Sequence, residues 1–324
     1  MTAPRFSSRP AGLLVVVAAV STLVAILCAG GARSASRAAP LIAFTRPDGV
    51  YVMHIDGSGV RLLRRTGSTS WVTWSPTGRK LAYVSFTYHK PSVRGGVWVM
   101  NADGTNATLV AKVSFVPSRP TWSPDSRRIA FAQPPGGHRE IWIVNADGTN
   151  LRRLTLPRLP RLGAASVAWS PAGNSFAVGA GGWTIPGGGI YLVGADGDVR
   201  RNLTPGLDGE AGEPAWSPDA RRIAFTSAVP RQVAPGQTSL EPRDEEISVV
   251  SADGGSEMRL THNHVPDYDP SWSPDARAII FVGAYAGSGT GGEIYLINAD
   301  GTGLTRLTHN RISEASPSWQ PTTR

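Results

Sequence analysis

A tryptophan recurs at Trp74, Trp122, Trp169, Trp216, Trp272 and Trp319, with successive spacings of 48, 47, 47, 56 and 47 residues. A fixed period of this size limits a chain to an array of like units, each burying its apolar face against the next. Seven residues after each of the first five tryptophans stands an apolar triplet: Leu81-Ala82-Tyr83, Ile129-Ala130-Phe131, Phe176-Ala177-Val178, Ile223-Ala224-Phe225 and Ile279-Ile280-Phe281. A second apolar run follows, as in Ile141-Trp142-Ile143-Val144, and then Asp103-Gly104, Asp147-Gly148, Asp196-Gly197, Asp253-Gly254 or Asp300-Gly301. Short runs rich in Ile, Val, Phe, Trp and Tyr, bounded by Pro and Gly, are strands. Asp-Gly between two such runs closes a hairpin, because Gly accepts the positive φ of a tight turn. Each unit therefore holds four strands, ending at the Trp, at the triplet, before Asp-Gly, and at a Leu-Thr such as Leu154-Thr155.

A period near 47 residues with four strands per unit is that of a β-propeller blade. The region opens at Leu41-Ile42-Ala43-Phe44, a triplet strand with no Trp strand before it, and closes at Ser316-Pro317-Ser318-Trp319, a Trp strand with nothing after it. The last strand supplies what the first unit lacks, and a shared blade leaves no open sheet edge. The sequence thus predicts an all-β, six-bladed propeller over residues 41–324, four antiparallel strands per blade, its ring closed by the C-terminal Trp strand.

Residues 1–40 read as an address. Arg5 and Arg9 precede Ala11 to Ala29, which is free of charge, and small residues follow. The pattern is that of a secretory signal, though the apolar run at 11–29 is also long enough to span a bilayer as an uncleaved anchor. Cys28, the single cysteine, suggests lipidation, against which Leu27 stands where a small residue is wanted. All three routes export the repeats to a periplasmic, cell-surface or extracellular location, and any membrane association runs through this segment. Outside it there is no thiol, so disulfides and Cys-ligated metals are excluded. The net charge of +8 comes from arginines scattered through the repeats, with no basic helix or zinc pattern, so nucleic acid is not expected as a partner.

The units WSPDSRRIAF…IWIVNADGTNLRRLT and WSPDARRIAF…ISVVSADGGSEMRLT resemble the WD-repeat-like β-propeller repeat of the TolB type, and the resemblance covers about residues 41–324. It implies the propeller fold and, from the TolB family, a protein-binding platform. In the wider superfamily, prolyl-oligopeptidase-like peptidases use the propeller as a gate, and certain pectate-oligomer lyases build a metal-bearing active site on it. The TolB α/β domain has no counterpart before this propeller. No Gly-x-Ser-x-Gly elbow appears, and the lyases carry more blades and several metal-binding His residues.

The Trp turn and the Asp-Gly turn are uniform and share one face. The other face carries the triplet-to-third-strand loops and the blade-to-blade links, which vary, as at Gly179 to Gly189, Val282 to Gly292 and Thr226 to Glu246. Variable loops on a rigid frame are where binding concentrates. The position three before each Trp reads Trp71, Arg119, Ser166, Glu213, Asp269 and Ser316, and is expected to face the central funnel. Glu210, Glu213, Asp267, Asp269 and Glu314 fall in consecutive blades and are expected to form an acidic sector; Arg119, Arg158 and Arg161 form another. Such a funnel suits a basic peptide or a divalent cation, although solvated loop charges give the same pattern. His262 and His264 with Asp267 and Asp269 are too local for a four-ligand zinc site, and His309 is the sole addition from the next blade. The NADGT turns lack the acidic first position of a calcium loop. Trp71 and Trp183 lie outside the repeat register and are candidates for exposed aromatic anchors. No nucleophile–base–acid set, P-loop or dinucleotide fingerprint is present, and no cofactor is expected. The sequence therefore points to a monomeric, exported platform for a protein, a peptide or an envelope polymer. The alternatives are a carbohydrate-active lyase or hydrolase with an acidic/His site at the funnel mouth, and a structural envelope scaffold.

Overall fold

The computed structural model describes residues 40–89, 92–133, 140–156, 164–180, 188–207, 210–229, 244–263, 265–284, 292–310 and 312–322. Among these there is no helix, and the strands form six four-stranded antiparallel sheets. The first blade holds β1 (Leu41–Arg46), β2 (Gly49–His54) and β3 (Arg61–Arg65). The second holds β4 (Ser68–Trp74), β5 (Lys80–His89), β6 (Ser92–Asn101) and β7 (Thr108–Val113), and the third β8 (Thr121–Trp122), β9 (Arg128–Gln133), β10 (Glu140–Asn145) and β11 (Arg152–Leu154). In the fourth are β12 (Ala164–Trp169), β13 (Ser175–Ala180), β14 (Gly189–Gly194) and β15 (Val199–Asn202). The fifth contains β16 (Glu210–Trp216), β17 (Arg222–Val229), β18 (Asp244–Ser251) and β19 (Met258–Arg259), and the sixth β20 (Asp267–Trp272), β21 (Ala278–Ala284), β22 (Gly292–Asn298) and β23 (Thr305–Arg306). The last strand, β24 (Ala315–Trp319), pairs with β1 and completes the first blade as its innermost strand.

Burial follows position in the blade. Second strands are covered by a neighbouring blade on each face, so β13 is buried at every residue, and the triplets run without a polar break. Outer strands such as β3 face solvent. The core lies between blades rather than within them: Ala130 and Ile141 of the third pack with Val167, Trp169 and Phe176 of the fourth.

The repeat tryptophans serve these seams. Trp122, Trp169 and Trp272 are each about 5% exposed. Indole Nε1 groups donate to the preceding blade, from Trp122 to Thr73 O (3.3 Å), Trp216 to Ala168 O (3.2 Å) and Trp272 to Ala215 O (3.0 Å). Two arginines that follow Ser-Pro-Asp complete the contact. Arg128 lies 4.9 Å from the Trp169 ring centroid and Arg222 4.5 Å from that of Trp272, so part of the positive charge is spent on cation–π packing between blades.

Both short turns are held by their own carboxylates. Asp125 Oδ1 accepts from Ser123 Oγ and from Arg127 N (3.0 Å), while Ser126 sits at φ 59°. In the NADGT turns, Asp103, Asp147 and Asp300 each accept from the backbone N–H and the hydroxyl of the Thr two residues on, at 2.6–3.0 Å. That hydroxyl, chiefly, holds each of these carboxyls below the usual range. These are Asx turns, each closed by one oxygen of its own carboxylate.

Candidate functional site

The innermost strands β24, β4, β8, β12, β16 and β20 surround the axis, and three carry a Pro two residues before the Trp: Pro214, Pro270 and Pro317. Proline cannot donate to a strand ladder, so pairing breaks there. Register shifts occur between Gly212 and Ala215, between Tyr268 and Ser271, and opposite Ser316. The residue before each Pro takes up the bulge in the left-handed region, with Glu213 at φ 51°, Asp269 at φ 60° and Ser316 at φ 55°. The bulge alters what these side chains reach. Ser166 Oγ accepts from Glu213 N (3.0 Å), Glu213 Oε2 from Asp269 N (2.9 Å), and Asp269 Oδ2 from Ser316 N (3.1 Å). Each side chain satisfies the bulged N–H of the next blade, from the fourth blade to the first. Glu213 Oε2 also accepts from Thr226 Oγ1 (2.9 Å).

Arg119 corrects the expectation of separate charged sectors. Starting before β8, it crosses to the opposite blades and donates from Nη1 to Pro270 O (3.2 Å) and from Nη2 to Pro317 O (2.5 Å). Burial disfavours its charge, and the Asp269 and Glu213 carboxylates favour it. Asp269 is 3% exposed. Burial, then the Glu213 charge, raises its carboxyl, while Arg119 pulls it down. Tyr268 beside it is pushed up to about 12, by burial first and Asp269 next. The chain's own guanidinium thus sits where a cationic ligand was expected.

Asp267 and Glu314 leave the channel altogether and are buried in seams between blades. At the sixth–first seam, Glu293 Oε1 accepts from Arg306 Nη2 (2.8 Å) and Asn310 N (2.7 Å), and Asn310 Nδ2 donates to Glu314 Oε1 (3.0 Å). Arg46 completes that seam with Nη2 at 2.7 Å and Nε at 3.2 Å from Glu314 Oε1, its guanidinium 4.7 Å from the Tyr51 ring centroid. The fifth–sixth seam repeats the scheme. Glu246 Oε1 takes Arg259 Nη2 (2.7 Å) and Asn263 N (3.0 Å), and Asn263 Nδ2 donates to Asp267 Oδ2 (2.6 Å).

The remaining expected residues do not converge on one site. Trp71 is half-buried against the core cluster containing Trp122, Phe131 and Val110, in place of the exposed position foreseen for it. His262 and His309 are exposed on links between blades. Trp183, His264, Arg158, Arg161 and the segment 1–39 lie outside the described residues. Among the described residues no three His, Cys, Asp or Glu side chains are grouped to hold a metal ion. Sequence reasoning also missed a cleft of about 560 Å³ on the second blade, lined by Trp98, Phe86, Leu109 and Lys112 among others. Its signal is Gly95-Gly96 in β6, where an added Cβ would meet Phe86 and Leu109 at 2.4 and 2.1 Å.

Comparison with known proteins bears on the frame more than on the site. Residues 44–178 match the model of the TolB beta propeller domain. A stretch of 82 residues is 35% identical to the Tol-Pal system protein TolB of Alcanivorax borkumensis, covering 24% of this chain and 18% of that protein. Among solved structures, TolB from Acinetobacter baumannii superposes with a TM-score of 0.69 at 18% identity, over 87% of this chain and 67% of its own. A putative TolB from Agrobacterium tumefaciens gives 0.61 at 21%, over 88% and 99%. A chain of the Nidogen/Laminin complex gives 0.64 at 10%, over 87% and 98%. At these identities the solved structures speak for the fold alone.

Proposed function

We propose that this chain, a β-propeller of the TolB type, is an exported platform that receives a protein partner on the face formed by the strand-two-to-strand-three loops and the blade-to-blade links. The observation that carries the reading is how the charged groups near the axis are spent. Arg119 bonds to backbone carbonyls within the field of Asp269 and Glu213, and the bulge carboxylates close hydrogen bonds between blades. A ligand held by charge deep in the channel would have to break the frame. The turn face repeats one short turn, in which Oδ1 of Asp103, Asp147 and Asp300 holds the turn itself. What differs between blades, and so can encode a partner, is the opposite face. Two of the links are anchored at Asn263 and Asn310, whose backbone N–H groups donate to the buried Glu246 and Glu293 near the start of the third strands.

Two further lines support the reading. The Alcanivorax relative carries the name of a Tol-Pal system, and the uncharged run at 11–29 behind Arg5 and Arg9 suits export. The reading is of a binder and not an enzyme, because the acids near the axis are engaged in holding backbone and guanidinium groups.

Ile312, 47% exposed on the link before β24, is an apolar side chain on the proposed face, and Leu151, 45% exposed beside β11, is its control. With the tagged protein recovered from solubilised envelopes, Ile312→Asp is expected to lower partner retention at least about tenfold, the effect of losing one well-packed apolar contact. Leu151→Asp should leave retention unchanged. Equal retention by both variants would count against the assignment of the face.

A further inference from the structure

The two buried seams described above are built on one plan and differ in one charge. At the sixth–first seam, the buried carboxylates Glu293 and Glu314 face two arginines, Arg306 and Arg46. At the fifth–sixth seam, Glu246 and Asp267 face one, Arg259. The strand registers show why. Phe44 pairs with Tyr51 as Phe281 pairs with Tyr295, which sets Gly283 at the position of Arg46. The glycine leaves no cation there, and the Tyr295 ring and Asp267 Oδ1 have closed into the space, 2.8 and 3.0 Å from where its Cβ would stand. Asp267 is 1% exposed and Glu246 is fully buried.

We propose that Asp267 makes the seam between the fifth and sixth blades a proton-controlled joint, closed when its carboxyl is protonated and loosened when it ionises. Two buried carboxylates sharing one arginine cannot both carry charge without cost. Around Asp267, β18 supplies Glu246, preceded by Asp244 and Glu245, β19 supplies Arg259, and β22 supplies Glu293 and Tyr295, while Tyr268 and Asp269 follow Asp267 on β20 itself. His262 is exposed on the link, while β16 carries Glu210 and Glu213. The charged residue of β17, Arg222, is at its far end, and β24 has none. Hydrogen bonds from Thr261 and Asn263 favour the ionised form, as does Arg259, but burial outweighs them and Glu246 opposes ionisation as well. The carboxyl is pushed up to about 7.

The sign of the effect follows. In the unfolded chain Asp267 ionises near pH 4, whereas in the folded chain it keeps its proton to about 7, so stability declines as pH rises between those values and levels off above. The joint underlies the face proposed for binding, because Asn263 links it to the connection before β20. That consequence rests on the functional reading; the joint itself does not.

The test uses the exported chain alone, so it succeeds or fails whatever the partner. Thermal unfolding at pH 5 to 8.5 is expected to show the wild-type Tm falling toward neutrality, and a flatter profile for Asp267→Asn, which cannot ionise and keeps an amide oxygen for Asn263. Glu246→Gln, which removes the facing charge, should lower the pH at which Asp267 ionises, so that the decline is smaller and ends at a lower pH. Hydrogen exchange over residues 244–272, corrected for its intrinsic pH dependence, should rise in the wild type between pH 6 and 8 and stay level in Asp267→Asn. Parallel Tm profiles for wild type and Asp267→Asn, or seam exchange that is insensitive to pH in the wild type, would overturn the proposal.

Discussion

Arg119 leaves the third blade and bonds to carbonyls of the sixth and first, so one side chain ties together strands on opposite sides of the axis. Losing it removes two hydrogen bonds and leaves Asp269 and Glu213 without their cation. Breaking one member of a buried charged set costs about 3–5 kcal/mol. Arg119→Met keeps much of the volume and is expected to lose stability of about that size in urea unfolding at pH 8. The loss should be smaller at pH 5, where the Asp269 carboxyl, raised by burial and by Glu213, takes up a proton. An equal loss at both pH values would mean that packing alone was removed. The sequence identified the position three before each Trp as an inward one, and so named Arg119, Glu213 and Asp269. It did not reveal their partners. An extended strand would aim these side chains at the channel, but the bulge before Pro214, Pro270 and Pro317 turns Glu213, Asp269 and Ser316 to positive φ. Which backbone N–H each then meets depends on the neighbouring blade, a tertiary fact with no local trace.

Among the strands, the most consequential pairing is that of β24 with β1, where Ile42 stands opposite Trp319 and Ala43 opposite Ser318. It joins the two ends of the described chain, and Ser318 Oγ extends the tie by accepting from Trp74 N (3.2 Å) in the second blade. A chain stopped after Ser313 would lose β24 and Glu314 together, exposing the inner edge of β1 and leaving Arg46 without its carboxylate. Unpaired edges recruit other strands. Size-exclusion chromatography is therefore expected to show this truncation as oligomer or aggregate, with cooperative unfolding lost; a monomer with the wild-type Tm would contradict the closure. This level was the most legible in the sequence, because the recurring Trp, the unbroken apolar triplets, the Asp-Gly turns and the split first unit are signals that repeat. The seams were not. Glu246, Asn263 and Asp267 are spread across two blades, and sequence reasoning placed Asp267 and Glu314 in the channel because their neighbours belong there. The absent arginine at Gly283 becomes visible only when the registers of the first and sixth blades are compared.

Across the molecule, a formal charge of +8 conceals how much charge is internal. Arg46, Arg119, Arg128, Arg222, Arg259 and Arg306 each serve a carboxylate, a carbonyl or an indole of the frame. The repeats thus fix a scaffold whose axis and turn face are chemically committed, and whose opposite face varies from blade to blade. The partner's identity is not written in the frame, since a surface that evolves to fit another molecule obeys no period of its own. The most direct measurement places a photoactivatable residue at His262 or Ile312 on the loop-and-link face, and at Asp147 or Asp300 on the turn face, all four exposed, in cells producing the full-length protein. The expected result is a discrete protein adduct from His262 or Ile312 and none from Asp147 or Asp300. Adducts arising from the turn face instead, or from neither face, would contradict the account.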